Sequence, residues 1–214
     1  MRRAYGLEIF SSLPELCDPA RAALLIYDMQ VGIVPQIQSG ARVLQGCQRL
    51  LQASRGAGLR VIYTKHISVP NEAAGAVQLR RAMIWQRTDD ATATKPAFLR
   101  TAQAAEIVPE LAPMPSEVVI EKITMSAFEG TYLNILLRDL RLQSLIIAGI
   151  ALEVGIEPTV RQALDLNYVP IVVGDLCGSR TEELHERSIA TMQETGEVIV
   201  TSLKEILPLL GETL

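Results

Sequence analysis

Two ionisable residues close apolar runs, the places where an α/β chain most readily houses chemistry. Asp28 follows AALLIY (22–27), and Lys122 closes the run that opens with VVI (118–120). A carboxylate and an ammonium at the ends of neighbouring strands can share one pocket, each holding the other charged. Taken singly, Asp28 also reads as a strand-end carboxylate or a helix cap, and Lys122 as a surface lysine. A third feature is the stretch Gly149-Ile150-Ala151-Leu152-Glu153-Val154-Gly155, with glycine at both ends. It leads from SLIIA (144–148) into a segment that holds Pro158 in its first turn. Backbone N–H groups there could face an anion or oxyanion at a helix N-terminus, although a plain tight turn fits the same residues. No GxGxxG or GxxxxGK[ST] occurs, which disfavours nucleotide phosphate.

Other candidates are sparser. His66 follows RVIYT (60–64), where a general base could sit, and Cys177 follows VPIVV (169–173). A solitary cysteine is more often a small buried hydrophobe than a nucleophile, and Cys17 and Cys47 lie away from these strand ends. His185 stands among Glu182, Glu183, Glu186 and Arg187 and reads as solvated. With two histidines, three cysteines and no CxxC, no metal framework is legible, and neither metal nor cofactor is expected.

The elements that must position these residues follow from hydrophobic patterning. Six short runs, at 22–27, 60–64, 118–120, 144–148, 169–173 and 197–200, are near-continuous rather than alternating. Parallel strands covered on both faces look like this. Between them, 41–57, 131–140, 158–166 and 181–195 carry apolar residues at helical spacing. Strands alternating with helices predict an α/β fold with one parallel sheet between two helical layers. In such sheets ligands sit beyond the carboxyl ends of the strands, and that rule gathers Asp28, Lys122 and the 149–155 loop on one edge. The rhythm breaks at 68–116, a long excursion expected to be a pocket or interface segment, and an N-terminal arm covers 1–20.

Composition narrows the function classes. The chain has 214 residues, 49% hydrophobic and 21% charged, with a net charge of −4. One domain spanning 1–214 is expected, with no basic field for nucleic acid or an anionic membrane. Three Phe, one Trp and five Tyr are too few for base-stacking platforms. No secretory signal and no apolar run of membrane-spanning length is legible, so a cytoplasmic protein is expected.

LLIYDMQ (24–30), VVIEKITMSAFEGTYLNILLR (118–138) and AGIALEVGIEPTVRQALDLNYVPIVVGDLC (148–177) resemble the isochorismatase-like hydrolases. That superfamily includes isochorismatases, nicotinamidases and N-carbamoyl amino-acid amidohydrolases. The resemblance runs in order over residues 20–205 and implies a three-layer α-β-α, Rossmann-like fold with a six-stranded parallel sheet. It also implies an Asp–Lys–Cys triad, for which Asp28 and Lys122 match the first two positions. The cysteine's place, six residues after Gly149, holds Gly155. The thioester route of the amidases therefore does not transfer. The histidine-rich metal motif of nicotinamidases is also missing from TKHISVPN (64–71).

Isochorismatases resemble this chain in having a small residue at the cysteine position. Their vinyl-ether cleavage needs a proton donor rather than a nucleophile. The resemblance thus implies a cysteine-independent hydrolase of a small anionic metabolite, with Asp28 as general acid, Lys122 positioning charge and the Gly155 backbone shaping the pocket. Gln30, Ile33, Phe128, Glu129, Tyr132, Ile150, Ala151, Leu152 and Glu153 are expected to bind substrate, with Trp85 a further pocket candidate. A non-proline cis peptide is expected at Ile150–Ala151. Two alternatives are a catalytically silent binding or scaffold protein, and an amidase using Cys177. A homo-oligomer, dimer or tetramer, is expected from family habit and from Phe10, Leu16, Trp85 and Phe98, which have few local partners.

Overall fold

The apolar runs become strands of one parallel sheet in the computed structural model, which describes residues 1–212. The last two residues of the expected domain lie outside the described residues. An N-terminal hairpin, β1 (Arg2–Ala4) and β2 (Leu7–Ile9), and the short helix α1 (Leu13–Leu16) precede the sheet strands β3 (Ala22–Tyr27), β4 (Arg60–His66), β5 (Val118–Lys122), β6 (Ser144–Ile150), β7 (Val169–Gly178) and β8 (Ile199–Thr201). The sheet order is β5-β4-β3-β6-β7-β8, with every neighbouring pair parallel. The chain walks outward from β3 to β5, then returns to the other side of β3. The order therefore reverses between β3 and β6, the position where open α/β sheets leave a crevice.

Period-two alternation sorts β3 between two cores. Leu24 and Ile26 face Val43, Cys47 and Leu50 of α2 (Gly40–Gly56) and Ile206 of α7 (Leu203–Ile206). Ala23, Leu25 and Tyr27 face Leu133 and Leu137 of α4 (Leu133–Asp139), Val160 and Ala163 of α5 (Glu157–Asp165) and Met192 of α6 (Glu182–Thr195). These layers make the three-layer α/β fold. Helix starts follow the expected chemistry: Pro158 occupies the first turn of α5, and the Thr181 hydroxyl accepts the Leu184 N–H at 3.2 Å to cap α6.

Two expectations need correction, and one element was not foreseen. Cys177 lies inside β7 rather than beyond it, because pairing with β6 breaks after Val172 and resumes at Cys177 opposite Gly149. Leu16 is 2% exposed, because the N-terminal arm folds back onto the α2 core. The excursion 68–116 contains a full helix, α3 (Ala76–Gln86), that the patterning does not reveal. No residue of α3 is buried, so no apolar stripe was required of it. Val77, Ile84 and Trp85 on α3 stand exposed. The excursion is tied to the chain after Asp28 by backbone bonds: Val31 N–H to Glu106 C=O, Gly32 N–H to Ala104 C=O, and Val108 N–H to Met29 C=O. No helix of the described residues is long and apolar enough to cross a membrane.

Candidate active site

The reversal point brings together residues from four strand ends. Asp28, just past β3, adopts φ 46°, a left-handed conformation uncommon for a non-glycine residue. Its Oδ2 accepts a hydrogen bond from Lys122 Nζ at 2.6 Å, and its Oδ1 accepts one from the Thr64 hydroxyl at 2.6 Å. Thr64 Oγ1 in turn accepts the Asp28 N–H at 3.1 Å, which locks backbone and side chain together. Lys122 is the last residue of β5. It reaches across β4 because β5 and β4 keep parallel register up to His66 opposite Lys122. Its ammonium also donates to the Thr124 carbonyl at 3.3 Å and lies 4.6 Å from the centre of the Tyr27 ring. The pair is almost sealed, the Lys122 side chain 1% exposed and that of Asp28 8%.

Gly155 sits in a single π-turn, Leu152–Ile156, that leads into α5. Its N–H and that of Ile156 both bond the Ala151 carbonyl, at 3.0 and 3.1 Å, so neither is free for an oxyanion. The Ile150–Ala151 peptide is cis. The Gly155 carbonyl accepts the Thr159 hydroxyl at 2.7 Å. At the base of the turn, Gly149 has φ 138° and packs its Cα against the Tyr27 backbone, an approach that leaves no room for a side chain.

Beside this group lies a cavity of about 460 Å³ between the end of β4 and the excursion. His66, Trp85, Phe98 and Ile123 wall it, and its charged lining residues, Arg81 and Lys95, are both cationic. His66 meets the rings of Trp85 and Phe98 edge-on, at 6.4 and 6.0 Å. Burial, then the Lys122 charge, lowers the His66 imidazole to about 4, so it is neutral near pH 7. Asp28, Lys122 and Gly155 do not line the cavity; His66 is the link between the two.

This fold is matched among known proteins. The Isochorismatase domain family model matches residues 22–204. The chain belongs to the isochorismatase family. An uncharacterised isochorismatase family protein of Bacillus subtilis is 30% identical over 80% of this chain and 85% of its own. A ureidoacrylate amidohydrolase of Serratia proteamaculans is 27% identical over 73% of this chain and 69% of its own. A solved cysteine hydrolase from Pseudomonas syringae superposes with TM-score 0.77 at 25% identity, covering 90% of this chain and 93% of that one.

The remaining candidates of this isochorismatase-family chain are scattered around the pair. Gln30 is fully buried, with its amide committed: Nε2 donates to the His66 and Ala105 carbonyls at 2.9 Å each, and Oε1 accepts the His66 N–H at 2.6 Å. Ile33 is half-buried against the α2 core. Phe128 stacks on Tyr168 at 5.9 Å within the opposite core, and Glu129 is exposed. Tyr132 is half-exposed, its hydroxyl 3.4 Å from the Val119 carbonyl. Ile150 and Leu152 are buried and Ala151 partly so. Glu153 Oε1 accepts the Arg180 N–H at 3.1 Å, while its Oε2 is buried without a partner.

Cys177 is buried, and burial holds its thiol well above the ordinary value, which leaves no thiolate at neutral pH for an amidase of that kind. Among the described residues no group of three or more His, Cys, Asp or Glu is arranged to hold a metal ion. Two contributors escaped the sequence reading: Thr64, which bonds Asp28, and Tyr27, which touches Lys122. Thr64 could have been found from parallel register alone, since Ile26 pairs with Tyr63 and places Thr64 beside the residues that follow β3.

Proposed function

We propose that the chain is a hydrolase of small anionic metabolites that works without a covalent nucleophile. The observation that carries this reading is the intact Asp28–Lys122 pair, at 2.6 Å, in a site whose nucleophile position holds Gly155. In the reading's preferred form the bond cleaved is a vinyl ether. Asp28 transfers a proton to the terminal vinyl carbon, the resulting oxocarbenium ion is captured by water, and the hemiketal collapses to pyruvate and an alcohol. For this step Asp28 must carry a proton while Lys122 stands beside it. A substrate carboxylate that draws the ammonium toward itself would free Asp28 to accept one. The cationic lining of the neighbouring cavity, Arg81 and Lys95 without a carboxylate, favours an anionic substrate as well.

The test is turnover of isochorismate and, in parallel, of ureidoacrylate, by the parent and by Asp28→Ala. Loss of a general acid lowers the rate by on the order of 10²–10⁴. Isochorismate turnover that falls by this much in the variant supports the reading. A parent no faster than Asp28→Ala on isochorismate removes the vinyl-ether form, and a parent that cleaves ureidoacrylate removes the restriction to reactions without a nucleophile.

A second reading, a binding protein without catalysis, is favoured by one observation: the cavity is not lined by Asp28, Lys122 or Gly155. Ligand-induced thermal stabilisation that survives Asp28→Ala, with no turnover of either compound, would select it.

A further inference from the structure

The nucleophile position is not simply vacant. A Cβ placed on Gly155 would lie 2.6 Å from Tyr27 Cε1, 2.7 Å from its hydroxyl oxygen and 2.9 Å from Cζ. Contacts this short require the ring to move. The ring is poorly placed to do so: Tyr27 is 0% exposed, packed in the core under α4 and α5. Its hydroxyl donates to the Met125 carbonyl and lies 3.4 Å from the Thr159 hydroxyl, which itself bonds the Gly155 carbonyl. The ring that fills the space at Gly155 is also the ring over which Lys122 Nζ sits at 4.6 Å.

We propose that Tyr27 and Gly155 are a matched pair, in which the Tyr27 side chain takes the volume that a nucleophile at position 155 would need and braces Lys122 with its ring. Tyr27 is thus a positioning residue. The proposal extends the reading of a site without a nucleophile and rests on it only for the roles of Asp28 and Lys122. Replacing Gly155 alone by cysteine cannot restore thiol chemistry, because Tyr27 already occupies the place. A smaller residue at 27 is needed as well.

The experiment compares Gly155→Cys, Tyr27→Val, the double variant, and Gly155→Cys with Tyr27→Phe. It reads thermal midpoint and iodoacetamide alkylation as a function of pH, neither of which needs a substrate. Failure here is therefore distinct from failure of the isochorismate assay. Cys17, Cys47 and Cys177 are all buried, and the parent supplies the alkylation background.

Gly155→Cys overpacks the core and should lower the midpoint by roughly 3–10 °C. The double variant should lose several degrees less than the two single losses added together, because neighbouring residues couple. In the double variant the introduced thiol gains access to the Lys122 side of the site at the N-terminus of α5, and its alkylation should be half-maximal below about pH 7.5. Tyr27→Phe keeps Cε1 and should leave Gly155→Cys as unstable and as slowly alkylated as before. A merely structural Tyr27 would not move the alkylation profile. Additive midpoints overturn the proposal. So does a Gly155→Cys variant with the parent's midpoint and the double variant's alkylation profile. If Gly155→Cys fails to fold, a folded double variant supports the pair and an unfolded one overturns it.

Discussion

Two clusters in this molecule use the same three ingredients, a carboxylate, a cation and a tyrosine, to opposite ends. At the carboxyl edge of the sheet Asp28 meets Lys122 and Tyr27. Near the amino end of β5, Glu117 meets Arg55 and Tyr63. In the second cluster the bonding is saturated. Arg55 grips Glu117 with two bonds of 2.8 Å, reaches the Tyr63 hydroxyl at 3.2 Å and donates to the Ala112 carbonyl at 3.0 Å. Glu117 also accepts the Met114 N–H at 2.7 Å. Burial pushes the Glu117 carboxyl up, but the bonds from Arg55 and from Met114 outweigh it and hold the group below its ordinary value. The first cluster is held by single bonds, on a backbone in a left-handed conformation, with the Tyr27 ring rather than its hydroxyl toward the cation. A fork that satisfies every group is suited to fixing a helix to a strand. A monodentate pair at a sheet's reversal point can exchange one partner for a ligand. The difference distinguishes a part-buried, saturated fork from a sealed pair held by single bonds.

The comparison breaks most decisively in activity. Asp28→Asn should cut isochorismate turnover by about 10²–10⁴-fold, whereas Glu117→Gln should leave the activity of the folded fraction unchanged. A Glu117→Gln enzyme as impaired per folded molecule as Asp28→Asn would erase the distinction. Next in size is the effect of burying His66, reinforced by the Lys122 charge. The unfolded histidine titrates near 6.5 and the folded one at about 4, so between these values the unfolded chain binds more protons. Stability therefore falls as pH drops through this window, by about 3 kcal/mol at pH 4 from this group. Urea melts of the parent and of His66→Gln from pH 7.5 to 4.5 measure it, and the variant should show the shallower decline. Parallel declines would show that His66 is not held neutral.

Stability should depend on both clusters, unlike activity. Glu117→Gln removes the bidentate partner of a part-buried arginine and should lower folding stability by about 2–3 kcal/mol, read as a lower urea midpoint. Asp28→Asn leaves the sealed Lys122 ammonium without its counter-ion and should cost at least as much. The smallest effect sharpens the first cluster from within. Thr64→Val keeps the side-chain shape but removes the hydroxyl that bonds Asp28 Oδ1 and accepts the Asp28 N–H, and turnover should fall about tenfold with a stability loss of about 1–3 kcal/mol. Unchanged turnover would mean that Thr64 does not orient the acid.

Much of the frame was legible because parallel strands buried on both faces announce themselves locally. AALLIY, RVIYT and SLIIA need no knowledge of their neighbours to read as strands. Asp28 and Lys122 were legible as strand-end residues for the same reason. The α3 helix was not legible, since it buries none of its residues and so carries no periodic stripe. Nor was the commitment of Gln30, whose amide spends its bonds on His66 and Ala105. An amide beside an acid looks the same in sequence whether it faces a ligand or the backbone.

The sequence by itself determined the α/β alternation, the edge on which the ionisable residues collect, and the glycines at both ends of the 149–155 stretch. Each is a matter of residue type and local order. Only the tertiary structure decided that Tyr27 fills the space at Gly155, that Thr64 grips Asp28 and that His66 opens onto a cavity walled by Trp85 and Phe98. Those contacts join residues far apart in the chain. They depend on which strands become neighbours and on which face each alternating side chain takes. In sequence Tyr27 is the last letter of an apolar run; strand order and parity set its ring against Gly155.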